Sequence, residues 1–329
     1  MKKVLKKIFR AEYVLFYILI LVCVFFCLVC GPSFFSSRNI TNILKAAGPL
    51  GIMLYGVTWV VSSGKTDVAF PEIGSLTSMT FAYFYLAGTT SVLAGLFGIG
   101  VGLAMGAVSA FLVIKCKFHP LISTIAVSTA GGALAISYSG GSAIKLSAIA
   151  NKTFIYDICQ WQIGPFPVIF IIAVVMAIIM WFIQEKTKFG QYIYAIGDNP
   201  QAVKEAGVAT WKIDLILYLV SAFCASFAGL VYTITVYTSG QPIMGTSFFL
   251  NGFTIVFLGA LAIKLGKCNV LGTLISAVIL SCMTNGLTQL GAHYSVTQLS
   301  KGILLLIGVG VVTVTRRNRI GKIGLLKYE

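Results

Sequence analysis

The sequence predicts an all-α polytopic membrane protein with about ten transmembrane helices and both termini in the cytoplasm. Three observations lead there. First, of 329 residues 58% are hydrophobic and only 10% are charged, where an ordinary soluble domain carries about 25% charged residues. So few charges do not cover the surface of a soluble protein of this size, and the same composition excludes a disordered chain. Second, mean hydropathy is +0.94, with the apolar residues gathered into runs near the roughly 20 residues that a helix needs to cross a bilayer. Third, the 24 Lys+Arg against 9 Asp+Glu, a formal +15, fall mostly on one side of those runs.

Ten spans are read in order at 13–31, 44–61, 73–89, 91–114, 119–138, 165–183, 213–237, 247–263, 269–288 and 297–315, separated by Gly, Pro, Asn, Ser or charge. The start, MKKVLKKIFR, is basic and precedes an apolar run. The run is long, and Gly31-Pro32-Ser33-Phe34 makes a poor cleavage site, so it is read as an uncleaved first span. With the N-terminus inside and sides alternating, 19 basic residues lie inside and 5 outside, the latter being Arg38, Lys45, Lys145, Lys152 and Lys301. This is the positive-inside pattern. It leaves no single basic face, so nucleic acid is not read as a partner. Residues 62–75 hold Gly64, Lys65, Asp67, Pro71, Glu72 and Gly74. They read either as a short cytoplasmic turn or as a broken, partly buried segment, which at membrane depth must line protein or a cavity.

Little in the chain points to chemistry on a substrate. Cys23, Cys27 and Cys30 share one face of the first span, without the His or further thiols of a metal site. They read as small buried hydrophobes. Gly64-Lys65-Thr66 ends like a phosphate loop, but Trp59 stands where its first Gly belongs. Gly98, Gly102, Gly106 and Ala110 form a small-residue stripe for close helix packing. No catalytic or metal constellation is found, and the chain is read as a non-enzyme.

The longest cytoplasmic loop, 184–212, carries a compact helix signal. Asp198 or Asn199 suits the cap, Pro200 the first helical position and Gly207 the stop after Ala206. Barely two turns do not hold alone, so this helix docks on something or lies on the membrane surface as an amphipathic connector.

The stretch Ala195 to Val208 resembles the cytoplasmic coupling segment of ATP-binding-cassette (ABC) importer permeases of the ribose/xylose/autoinducer-2, branched-chain-type family. That pattern runs Gly-x-Asn-x-x-Ala-Ala-x-x-Ser-Gly-Ile. Gly197, Asn199, Ala202, Gly207 and the conservative Val208 match it, while Val203 and Ala206 replace Ala and Ser. Three more stretches follow the family in order. Gly64 to Ile73 is similar to its Gly-Gly-Ile-Asp-Leu-Ser motif, in the variant Asp-Val-Ser-Phe-Pro. Ser221 to Leu230 is similar to Ser-Gly-x-x-Ala-Gly-x-Ala-Gly. Gly272-Thr273, Asn285-Gly286-Leu287 and Leu290-Gly291 match late spans. The resemblance covers about 45–315. The chain departs at Lys65, Ala69, Leu250-Asn251-Gly252 and Gly266-Lys267-Cys268-Asn269, which bears on the solute more than on the architecture.

The resemblance implies a type II ABC importer permease, a single transmembrane domain over 1–329, in the bacterial plasma (inner) membrane. It implies a second permease subunit, identical or paralogous, an ABC ATPase subunit, and an extracytoplasmic solute-binding protein, with membrane lipid around the assembly. No cofactor is expected in this chain, because ATP is hydrolysed by the partner. Gly197, Asn199, Ala202, Glu205 and Gly207 are the expected ATPase-coupling residues. The substrate path is read from intramembrane polar groups, which are costly unless functional or paired, and from the aromatic beside them: Asp67, Phe70, Glu72, Asn251 and Asn285, with Thr77 and Gln289 further along. Asp67 has a competing structural role, either capping a broken helix or pairing with Lys65. A sugar-like solute is expected. A secondary transporter or facilitator for a small polar solute is the alternative, disfavoured by the shortage of buried carboxylates for coupling ions.

Overall fold

The structure is a computed structural model that describes residues 14–146, 158–264 and 266–325. The basic N-terminal segment, Lys152 and Lys327 lie outside the described residues. The helices are α1 (Val14–Cys30), α2 (Ser37–Ser62), α3 (Phe70–Leu86), α4 (Ser91–Ile114), α5 (Pro120–Ser137), α6 (Val168–Lys186), α7 (Lys188–Asp198), α8 (Pro200–Glu205), α9 (Thr210–Tyr232), α10 (Gly245–Gly259), α11 (Val270–Gln289) and α12 (Tyr294–Leu325). A helix thus stands in each of the ten apolar stretches. Six of them, α2, α4, α5, α6, α11 and Thr210–Tyr237, are long and apolar enough to cross a membrane by length and composition. Two short antiparallel pairs complete the fold: β1 (Ile144–Lys145) with β4 (Ser239–Gly240), and β2 (Gln162–Ile163) with β3 (Phe166–Pro167).

The centre is α2 and α3, enclosed by α4, α5, α6, α9 and α11. From Phe70 to Ala82, α3 is buried except at Glu72, which explains why it carries Ser75, Thr77, Ser78 and Thr80. A helix buried inside protein tolerates hydroxyls that bond to neighbours, whereas a lipid-facing one has no partners for them. The stripe on α4 does what small residues permit. Gly98 lies against Thr77, and a Cβ at Gly102 or Gly106 would overlap Ser226 or Ala222. It lets α4 sit tightly on α3 and α9. Cys23, Cys27 and Cys30 are free and half-buried, and no metal-holding group of His, Cys, Asp and Glu occurs among the described residues.

One feature settles a reading the sequence left open, and three differ from the sequence reading. Residues 65–69 form no helix or strand, with Asp67, Val68 and Ala69 buried, which decides between the two readings of 62–75 in favour of the broken segment. Lys188–Asp198 is a helix where only a loop was expected. A second break follows α9: a π turn over Thr233–Tyr237, Thr238 at φ 49°, and an irregular run before α10. Lys301, counted with the outside loops, is instead buried within α12. Each of these positions is set by packing, which hydropathy alone does not encode.

Candidate functional site

The loop after α6 folds into two linked helices. Thr187 caps α7 by accepting from the Gly190 N–H at 3.4 Å. Asn199 is the cap of α8, its Oδ1 accepting from the N–H groups of Gln201 and Ala202, both at 3.1 Å. Gly207 then stops the chain at φ +79°, a left-handed conformation that glycine adopts without cost. The two helices face different ways. α7 buries Gly190, Ile193 and Ile196, while α8 buries only Val203. Pro200, Gln201, Ala202, Lys204 and Glu205 are exposed, with Gln201 Nε2 donating to Glu205 Oε1 at 3.0 Å. Gly197 sits at the elbow, and a Cβ there would overlap the Ser62 carbonyl at the end of α2.

An ionic belt fastens this elbow to the loop between α10 and α11. Lys267 pairs with Asp198 at 2.8 Å, and Lys264 pairs with Glu185. Both ammonium groups lie 5.1 Å from the Tyr194 ring centroid, and Tyr194 donates its hydroxyl to Glu185 at 2.7 Å. Beneath the belt is Gln184, 1% exposed. Its Nε2 donates to Ser62 Oγ at 3.3 Å and to the Cys268 carbonyl at 3.1 Å, and its Oε1 accepts from the Val270 N–H at 3.1 Å. One side chain therefore joins the ends of α2, α6 and α11. Sequence reasoning missed Gln184, Tyr194 and Lys264. A polar residue at the end of an apolar run reads as the start of a loop, and only the tertiary contacts mark it as a junction.

The interior polar residues separate into two kinds. Asp67 is satisfied by its own chain: Oδ1 accepts from the Ala69 N–H at 2.9 Å and Oδ2 from the Ser221 hydroxyl at 2.6 Å. It does not pair with Lys65, which takes Asp214 at 2.6 Å. The hydroxyls of α3 are also engaged. Ser75 and Ser78 accept from the N–H groups of Met244 and Gln241, at 3.0 and 2.9 Å, and so hold the irregular run before α10. Thr77 bonds the Gly98 carbonyl at 3.1 Å.

Glu72 and Asn251 are different, for Glu72 Oε2 and Asn251 Oδ1 are buried without a hydrogen-bond partner among the described residues. The Glu72 carboxylate stands against Gly245, the first residue of α10, where a Cβ would overlap it, and faces Gly132 of α5. A negative charge is favoured at a helix N-terminus. Phe70 is fully buried against Leu54 and Gly252, with its ring edge-to-face on Phe253 at 6.4 Å. Asn285 stands apart. It accepts from Gln289 at 3.1 Å, on an exposed end of α11 beside a groove lined by Ser33, Ser36, Arg38 and Asn42. The structure thus brings Asp67, Phe70 and Glu72 together around the start of α3, with Asn251 beside Phe70's neighbour Gly252, and leaves Asn285 and Gln289 elsewhere.

The family described as branched-chain amino acid transport system / permease component matches residues 39–311. The chain belongs to that permease family. As a permease component of an ABC transporter it is not an enzyme; nucleotide hydrolysis falls to a partner ATPase, and the protein is multi-pass in a membrane. The permease is 30% identical over 284 residues to the ribose import permease protein of Bacillus subtilis, covering 85% of this chain and 86% of the relative. It is 28% identical to the fructose import permease protein of Rhizobium meliloti, over 89% and 83% of the two chains. It is 27% identical to the galactofuranose transporter permease protein of Escherichia coli, over 80% and 76%. A solved metal-chelate type ABC transporter in an inward-facing conformation shares the fold, with TM-score 0.50, 15% identity, and 93% and 98% of the chains covered.

Proposed function

We propose that this permease forms the membrane path of a sugar importer, as one transmembrane domain over 1–329 with ten crossings, both termini cytoplasmic, in a bacterial inner membrane. It pairs with a second permease subunit, identical or paralogous, and receives its solute from an extracytoplasmic binding protein. The observation that carries the reading is the elbow at Gly197. α8 presents an exposed face while its root is pressed on Ser62 and belted to the α10–α11 loop. A rigid helix pair with one free end is what a lever on an ATPase requires. Closure of the ATPase pair would then displace α8 and, through Ser62 and Gln184, tilt α2 and α11 between two states, as in rigid-body switching.

In this reading Gly197, Asn199, Ala202, Glu205 and Gly207 are the coupling residues, and Glu72 and Asn251 face the solute. Asp67 and Phe70 hold the broken start of α3 in shape. Relatives with ribose, fructose and galactofuranose in their names support a sugar as the solute. Family membership removes the motive for a secondary transporter. Reconstitution of the permease with the ATPase and binding protein encoded beside it tests the proposal. ATP-dependent uptake of labelled D-ribose, D-fructose or D-galactose is expected, together with cross-linking of Glu205→Cys to the ATPase. ATP-independent, ion-driven flux through the permease alone would sink it.

A further inference from the structure

α10 and α12 pack in parallel. Thr254 Oγ1 meets the Lys301 carbonyl at 3.5 Å, and further along Gly308 lies against Phe257 and Leu258. This register places Asn251, one turn before Thr254, level with Thr297 and Gln298, one turn before Lys301. The seam is therefore a polar stretch between two apolar helices, and only part of it is satisfied. Lys301 is 7% exposed and has no ion pair among the described residues. Asn251 Oδ1 and Gln298 Oε1 are buried without a partner.

The contrast with the other lysines is informative. Lys65, Lys264 and Lys267, near helix ends, each have a carboxylate. The two acidic residues near the start of α3 are committed elsewhere, Asp67 to Ser221 and Ala69, and Glu72 to the start of α10. A lysine that is largely buried with no carboxylate beside it, next to two buried carbonyl oxygens that lack a partner among the described residues, is costly to keep, and within a membrane such groups mark a path. Lipid is a poor occupant, because Lys301 is buried whereas the exposed stripe of α12 runs through Leu299, Ile303 and Leu306.

We infer that this seam is a solute-recognition subsite. Lys301 donates to, and Asn251 and Gln298 accept from, the hydroxyl groups of a polyhydroxylated solute. Each sugar hydroxyl both donates and accepts, so a fixed donor beside two acceptors suits neighbouring hydroxyls. The inference rests on the sugar-importer reading and adds Lys301 and Gln298 to it.

The test uses the complete assembly in proteoliposomes, with labelled D-ribose, D-fructose and D-galactose as probes and sugar moved per ATP hydrolysed as the readout. Lys301→Met and Asn251→Ala are each expected to lower that ratio by about tenfold, the scale of a lost hydrogen bond to a charged group. Binding-protein-stimulated ATP hydrolysis should hold, and Lys301→Arg should restore most of the ratio. An unchanged ratio in Lys301→Met overturns the subsite. So does an equal fall in transport and hydrolysis, which marks a lysine that only supports the fold. A wild-type assembly that hydrolyses ATP but moves none of the three sugars overturns the sugar-importer reading itself, and the subsite with it.

Discussion

Gly197, at the elbow between α7 and α8, lies against the carbonyl of Ser62, the last residue of α2, so closely that a Cβ would overlap it. Ser62 in turn donates to the Cys268 carbonyl at 2.8 Å, ahead of α11. The chain has no slack between α8 and two of its buried helices. Gly197→Ala must therefore move one of them, at the roughly 1–3 kcal/mol of an overpacked contact. The expected outcome is a lower unfolding temperature and a large loss of ATP-driven uptake, with the ATPase still co-purifying because the exposed face of α8 is unchanged. Wild-type stability in Gly197→Ala would refute this role.

The ends of α8 are expected to matter to transport more than to the fold. Asn199→Ala removes the acceptor for two N–H groups, a loss of about 1 kcal/mol for a helix cap. Gly207→Ala puts a side chain at φ +79°, costing about 1–2 kcal/mol in the left-handed region, although nothing lies within 4 Å of a Cβ there. Both variants should retain the purified protein's unfolding temperature to within a few degrees and lower uptake per ATP hydrolysed. Gly207→Asn should be the milder of the two Gly207 changes, since Asn tolerates this conformation.

Asp67 is expected to behave as a structural residue. Asp67→Ala leaves the Ser221 hydroxyl and the Ala69 N–H buried without a partner, each worth about 1–3 kcal/mol. Asp67→Asn retains an acceptor for Ala69 and should cost less. Unfolding temperatures ordered wild type, Asp67→Asn, Asp67→Ala would agree with this. A stable Asp67→Ala with altered sugar preference would instead assign Asp67 to the solute.

The ten apolar stretches and the small-residue stripe were legible because lipid and close packing select side chains by size and polarity along the chain itself. The cap and stop of α8 were legible for a local reason, since Asn199, Pro200 and Gly207 satisfy or end backbone geometry within a turn of themselves. The depth of Lys301 was not, because a lysine four residues into an apolar run reads like one just before it, and only the α10 contact shows it buried. The same holds for Asp67 and Glu72. Both are single carboxylates at the broken start of α3, and what separates them is that both Asp67 oxygens meet donors, Ala69 and Ser221, while one Glu72 oxygen has none among the described residues, which no local pattern records. The Lys188–Asp198 helix escaped because its apolar face, built on Ile193 and Ile196, is short and broken by Gly190 and Gly197, and those glycines are there for contact with Gln184 and Ser62.

Tyr194 is held between Lys264 and Lys267, each ammonium 5.1 Å from its ring centroid. Burial, and then Glu185, push its phenol well above the ordinary tyrosine value, so it stays a protonated donor throughout the range in which the protein is handled. Two interactions act through one side chain, and they come apart by substitution. Tyr194→Phe loses the bond to Glu185, about 1 kcal/mol, and keeps the ring beneath both lysines. Tyr194→Leu loses the ring as well, about 0.5–1 kcal/mol for each partly exposed cation. The attraction of the two partly exposed ammonium groups to the ring is screened by salt, more than the hydroxyl bond is. The expected order of unfolding temperatures is wild type, Tyr194→Phe, Tyr194→Leu, with the gap between the last two narrowing at high salt. Equal stability of Tyr194→Leu and wild type at low salt would show that the belt does not fasten α7 to the α10–α11 loop.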